Sequence, residues 1–139
     1  MDLIPGDALA IATIRAEADG EPYEGKLAVA SVIRNRMRFC YQSDGTAAGT
    51  VFHPYAFSCW NTPMKTRAHW LQVQVEDPRT QEARMAWEAS EKVSNVGDAV
   101  LYFNPRGVSH EPEWVKATTL VKRISHHLFY FDPATKKGA

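Results

Sequence analysis

Only two cysteines, Cys40 and Cys59, occur in this chain of 139 residues. Two thiols are too few for a disulfide-built scaffold, and their spacing matches no metal-ligand pattern. One bridge between them is the most they could form. An excess of charge is missing as well: 16 basic and 16 acidic residues cancel. That balance gives no electrostatic pull toward nucleic acid or an anionic membrane and suits a neutral polymer as partner. Nowhere does the chain approach the ~18 apolar residues of a membrane span. Its start, Met1-Asp2-Leu3-Ile4-Pro5-Gly6, has neither the basic residues nor the apolar run of a secretory signal. Synthesis as a soluble cytoplasmic protein is therefore expected, with release by another agent if the substrate lies outside the membrane. No His-Glu-x-x-His motif is present, and Pro112 after His110-Glu111 breaks the nearest approach to one. Neither a metal nor a cofactor is expected. Repeats, low-complexity tracts and linkers are absent too, apart from a short basic tail at Lys136-Lys137.

What remains is 45% hydrophobic and the size of one ordinary domain, enough to bury a real core. A single domain over residues 1–139, monomeric, is the expectation. Pro5-Gly6-Asp7 reads as a helix entry with Asp7 as N-cap, followed by a mostly buried helix from Ala8 to Ala18. Gly20 ends it, and Pro22 opens a second helix that runs to about Met37. In that helix Val29, Ala30, Ile33 and Met37 share a face, and Arg34, Arg36 and Arg38 near its end complement the helix dipole. From Phe39 to about Val75 the periodicity fails, and Phe52, Tyr55, Phe57, Trp60 and Trp70 stand among small polar residues. This reads as a long aromatic-rich loop region, of the kind more often functional than filler. Asp77-Pro78 caps a third helix, with Ala83, Ala86, Trp87, Ser90 and Val93 inward. Ala99 to Phe103 and His127 to Phe131 read as strands. Residues 113–124 between them fit either a loop or an irregular helix.

The most informative stretch is Glu17-Ala18-Asp19-Gly20-Glu21-Pro22, because it puts a carboxylate where two helices meet. Glu17 shares a face with Ala10, Thr13 and Ile14, so it emerges from an apolar wall. Near the negative end of a helix dipole, with apolar neighbours, the acid form of a glutamate is favoured, which is what a general acid needs. Asp19, Glu21 and Glu24 lie close enough to be mistaken for a second catalytic carboxylate. Structural roles suit them better: Glu21 can satisfy free amides at the start of the second helix, and Asp19 can bind backbone in the turn.

Read from Glu17 to Arg36, Glu-Ala-x-Gly-Glu-Pro-x-x-Gly-Lys-x-Ala-Val-Ala-x-Val-Ile-x-Asn-Arg resembles the signature of the SleB-like cell-wall hydrolases, the family of the spore-cortex-lytic enzymes and related phage lysins. Phe57-Ser58-Cys59-Trp60-Asn61, Leu101-Tyr102-Phe103, Pro112-x-Trp114 and Ile124-x-x-His127-x-Phe129-Tyr130 follow in the same order. Departures occur at Ala56, where glutamine is common, at Val100-Leu101 before Tyr102, and at Ser125-His126 before His127.

The resemblance implies a mainly helical α+β fold like that of lysozyme-like lytic transglycosylases, with a small sheet formed near Tyr102 and Phe129. It implies cleavage of the β-1,4 bond between N-acetylmuramic acid and N-acetylglucosamine in peptidoglycan glycan strands, with Glu17 as the one catalytic acid and a 1,6-anhydro product. As substrate-binding candidates it brings forward Asn35, Phe57, Ser58, Trp60, Tyr102 and His127. Their own chemistry leaves structural alternatives open. Asn35 lies on a face with Ala28, Ser31 and Val32 and can tie its helix to a loop. Phe57 and Trp60, with Asn61 beside them, suit either the rim of a sugar site or the core. The Ser58 hydroxyl favours substrate. Tyr102 fits either a cleft donor or a core tyrosine. His126 and His127 are adjacent in a strand and should point to opposite faces, so at most one can reach a cleft. The setting this implies is a phage or prophage endolysin that waits for a holin. The rival readings are a muramidase that hydrolyses the same bond and a non-catalytic wall-binding module.

Overall fold

A computed structural model of the protein describes residues 5–54, 56–60 and 77–137. Helix α1 spans Pro5–Glu17 and α2 spans Tyr23–Phe39. Between them Gly20 takes φ +84°, a left-handed conformation that costs glycine little, so α1 stops and the chain reverses at once. Helix α1 begins two residues before Asp7, which is therefore not its cap. Instead the Asp7 carboxylate accepts a hydrogen bond from Trp87 Nε1 at 2.7 Å.

Helix α2 is the centre of the molecule because it is apolar on two sides. Val29, Ala30 and Ile33 pack with Ala10, Ile11 and Ile14 of α1 and with Ala83, Ala86 and Trp87. Ala28 and Val32 pack the other way, against Val96, Ala99, Ile124 and Phe129. Each fully buried valine or isoleucine in these two layers contributes about 1.5–3 kcal/mol. The helix ends where Cys40 adopts φ 52° and its amide bonds back to Arg36 O and Met37 O.

Among the described residues, the expected loop after α2 carries two short elements. Helix α3, Ala47–Val51, is capped by Thr46 Oγ1, which accepts from Gly49 N at 3.0 Å. A single 3-10 turn follows at Ser58–Trp60. Helix α4, Pro78–Ala89, starts as expected, with Asp77 as N-cap accepting from Arg79 N at 2.8 Å. Ser90 beyond it is buried, but Val93 is 54% exposed and does not join the inward stripe, because the helix has already ended.

Three antiparallel strands, β1 (Leu101–Phe103), β2 (Thr119–Ile124) and β3 (His127–Phe131), form a sheet in the order β1-β3-β2. Leu101, Tyr102 and Phe103 pair with Tyr130, Phe129 and Leu128. Residues 113–124, ambiguous in sequence, divide into a 3-10 segment at Glu113–Ala117 and strand β2. A short helix α5, Ala134–Lys137, closes the described chain. No helix among the described residues is long and apolar enough to cross a membrane.

Candidate active site

Glu17 is the last residue of α1, and the helix face beneath it is sealed: Ala10, Thr13 and Ile14 have no solvent exposure. Its carboxylate is clasped by one residue. Ser58 N donates to Oε1 at 3.0 Å and Ser58 Oγ donates to Oε2 at 3.1 Å. Two buried aromatics set Ser58 in place. Phe57 is 1% exposed, and Trp60 donates from Nε1 to Thr13 Oγ1 at 2.8 Å, which fastens the 3-10 turn to α1. Burial pushes the Glu17 carboxyl above its ordinary value and the two Ser58 bonds pull it down; burial wins. The group therefore holds its proton to higher pH than a solvated glutamate.

Beside this carboxylate lies an open cleft of about 400 Å³. Ser58, Ala56 and Glu17 form one side, and Tyr102, His127 and Arg36 face it. Asn104, Gly107 and Val108, from the exposed segment after β1, extend the wall. Glu17 is the only acidic residue among the described lining. The Tyr102 ring stacks on Phe129 with centroids 5.3 Å apart and meets His127 edge to face at 5.3 Å. Burial, reinforced by the nearby Glu17 charge, raises the Tyr102 phenol well above its ordinary value, so it is a permanent hydrogen-bond donor. Burial lowers the His127 imidazole, against the pull of Glu21, which favours the neutral ring.

The structure thus brings together Glu17, Ser58, Tyr102 and His127 from four separated stretches of chain. Other candidates lie elsewhere. Asn35 is 4% exposed and faces away from the cleft; its Nδ2 donates to Gly97 O at 2.9 Å and Ala99 O at 2.8 Å, and its Oδ1 accepts from Arg38 at 3.1 Å. It ties α2 to the turn before β1. Phe57 and Trp60 are core side chains, not a rim, because the Ser58 turn packs inward onto α1. Asn61, Tyr55 and Trp70 lie outside the described residues. Asp19 does not bind backbone as expected but pairs with Arg15 at 2.5 Å and stands 3.9 Å from Arg79. The Glu21 side chain does not cap α2, whose N-cap Pro22 has no side-chain partner; it turns toward His126 and His127. The two histidines, expected on opposite faces, both reach Glu21, because His126 sits in the β2–β3 turn after Ser125 at φ 53° and only His127 is in strand. Cys40 is exposed and Cys59 buried, and no disulfide joins them.

Two cleft residues escaped the sequence reading. Arg36 is 3% exposed, its Nε donating to Val100 O at 2.7 Å and its guanidinium lying 5.2 Å over the Phe57 ring. The signal was there: Arg36 follows Val29, Val32 and Ile33 at helical offsets of seven, four and three, a charge on the buried stripe. Asn104 reads as a strand terminator, and its Oδ1 does accept from Arg106 N at 2.9 Å, yet the residue also lines the cleft.

An acid at a helix end, half-buried and clasped by a serine, stands beside an open cleft lined by residues of the helical layer and of the small sheet. The chain belongs to the cell wall hydrolase family, whose model matches residues 20–130. Glu17 stands just before the matched segment. The chain is 33% identical over 120 residues to the spore cortex-lytic enzyme of Oceanobacillus iheyensis, covering 84% of this chain and 38% of that one. It is 32% identical over 117 residues to the spore cortex-lytic enzyme of Bacillus subtilis, covering 84% and 34%. The chain thus spans less than two fifths of the length of these curated relatives. Among solved structures it is similar to the catalytic domain of the germination-specific lytic transglycosylase SleB from Bacillus anthracis, with TM-score 0.73 and 25% identity over 93% of this chain and 97% of that one. The catalytic domain of the Bacillus cereus SleB protein gives TM-score 0.70 and 26% identity over 94% and 93%. The mainly helical, lysozyme-like α+β fold expected from the sequence is the fold observed.

Proposed function

We propose that this chain cleaves peptidoglycan glycan strands at the bond between N-acetylmuramic acid and N-acetylglucosamine, as a lytic transglycosylase with Glu17 as its single acid and base. The observation that carries this reading is the setting of Glu17: its carboxyl raised above the ordinary value by burial, clasped by Ser58, and set on the wall of an open cleft. The protonated carboxyl gives its proton to the glycosidic oxygen, and the bond to C1 of the muramoyl residue breaks through an oxocarbenium-like state. Now a carboxylate, Glu17 takes the proton of the muramoyl C6 hydroxyl, whose oxygen closes on C1. The products are a 1,6-anhydro end and a free N-acetylglucosamine end, and Glu17 is again protonated. No water is consumed.

Hydrolysis by a carboxylate pair needs a second acid about 5–10 Å from the first. The described lining holds one acid, Glu17, as closure by the substrate's own hydroxyl would require. Tyr102 donates and neutral His127 accepts, so the facing wall can hold sugar hydroxyls and acetamido groups without competing for the Glu17 proton. The biological setting we propose is lysis from within by a phage-type enzyme. Co-expression with a holin should lyse the host, and expression without one should not.

Release of soluble muropeptides from purified sacculi tests the activity. The wild type should release them and Glu17→Gln should not; equal release by both would move the acid to another residue.

A further inference from the structure

The second glutamate of the Glu17–Glu21 stretch, Glu21, is not among the residues lining the cleft, yet its position is closely fixed. The Glu21 side chain is 10% exposed. A Cβ at position 25 would stand 2.9 Å from Glu21 Cβ, so Gly25 leaves the space in which that side chain folds back over the start of α2. Lys26, itself buried, donates its Nζ to the Glu21 main-chain oxygen and fixes the turn. The spacing Glu21-Pro22-x-x-Gly25-Lys26 therefore encodes a seat for one carboxylate.

That seat faces His127. Glu21 Oε1 stands 3.3 Å from His127 Nδ1, and the His127 side chain is 14% exposed, on the wall of the Glu17 cleft. The groups around the His127 ring are Glu21, His126, Tyr102 and Phe129. His126, 54% exposed, reaches the same carboxylate oxygen at 3.4 Å, and the two aromatics contact the ring. A carboxylate this close attracts a proton on Nδ1 and repels a lone pair there. The other ring nitrogen, Nε2, is then left unprotonated.

We propose that Glu21 is a positioning residue for the cleft: it holds the proton of His127 on Nδ1, so that Nε2 accepts a hydrogen bond from an uncharged O–H or N–H donor of the bound glycan. An acceptor there selects for neutral sugar groups and against a carboxylate at the same place. The glycan half of this inference rests on the proposed function; the tautomer half does not.

The experiment records histidine 15N signals of the glycan-free protein by long-range proton–nitrogen correlation at about pH 8, where imidazole is neutral. The His127 signal is the one absent from His127→Gln. The wild type should show His127 protonated on Nδ1, and Glu21→Met should shift it to the Nε2–H form. A wild-type ring protonated on Nε2, or a tautomer unchanged in Glu21→Met, overturns the proposal. With glycan, Glu21→Met should raise KM about tenfold and change kcat much less. That effect should disappear in the His127→Gln background, and a full effect there would also overturn it. Because the tautomer is read without substrate, failure of glycan cleavage and failure of the positioning role give separate results.

Discussion

Ser58 closes on the Glu17 carboxylate with two groups at once, its main-chain amide on one oxygen and its hydroxyl on the other. Both bonds favour the anion, while burial favours the acid, and the balance lies with the acid. In the proposed mechanism the protonated form donates to the glycosidic oxygen, so activity should be present below the raised Glu17 value and lost as pH rises through it. Ser58→Ala removes the hydroxyl bond and keeps the amide. Loss of one bond to a charged group is worth on the order of one pH unit. The alkaline limb of the pH–rate profile should move upward by about that much, and a limb that stays or moves down contradicts this account of the acid.

The same shift bears on stability. Glu17 has a raised value in the folded protein, so its proton contributes stability that is fully present below the ordinary value of 4.5 and lost as pH rises through the folded value. Glutamine is neutral at every pH. Glu17→Gln should melt with the wild type at about pH 4 and at the same temperature or higher at about pH 8. A variant less stable than the wild type at about pH 8 would show that the carboxylate is a structural ion.

Tyr102 separates packing from chemistry. Its ring is held by Phe129 and His127, contacts that phenylalanine keeps, while the residue lines the cleft and its phenol is a hydrogen-bond donor. Tyr102→Phe should lower kcat/KM about tenfold, the worth of one good hydrogen bond, and leave the melting temperature within a few degrees, about 3 °C. A large loss of stability with unchanged kinetics would make it a core residue.

Much of the site's scaffold could be read in the chain itself, because local chemistry dictates it. Gly20 and Pro22 mark the α1–α2 junction, and Asp77-Pro78 marks the start of α4, whatever the rest of the chain does. Strand β2 was hidden for the opposite reason. Leu120 is 53% and Val121 41% exposed, so the segment has no buried face to impose alternation, and it exists through pairing with β3. Phe57 and Trp60 show a second limit. Aromatic rings in a glycine- and serine-rich stretch suit a sugar rim or a core equally well, and only the partner of the Trp60 nitrogen, Thr13 on α1, decides. The Glu21 side chain cannot be placed from its own stretch, because its neighbour His127 comes more than a hundred residues later.

Asn35 tests the reassignment of one candidate from cleft to scaffold. Its amide serves two main-chain carbonyls, and Asn35→Ala leaves both without that donor. Denaturant unfolding should show a loss of about 2–4 kcal/mol, while kcat and KM of the folded fraction stay as in the wild type. Kinetics impaired at full stability would return Asn35 to the cleft.

The most direct test is the mass of the muropeptides released from intact sacculi. Closure by the C6 hydroxyl predicts products lighter by one water than the hydrolytic disaccharides, with no reducing muramoyl end. Products carrying the added water, with a reducible muramoyl end, would contradict the single-acid account and require a second group that activates water.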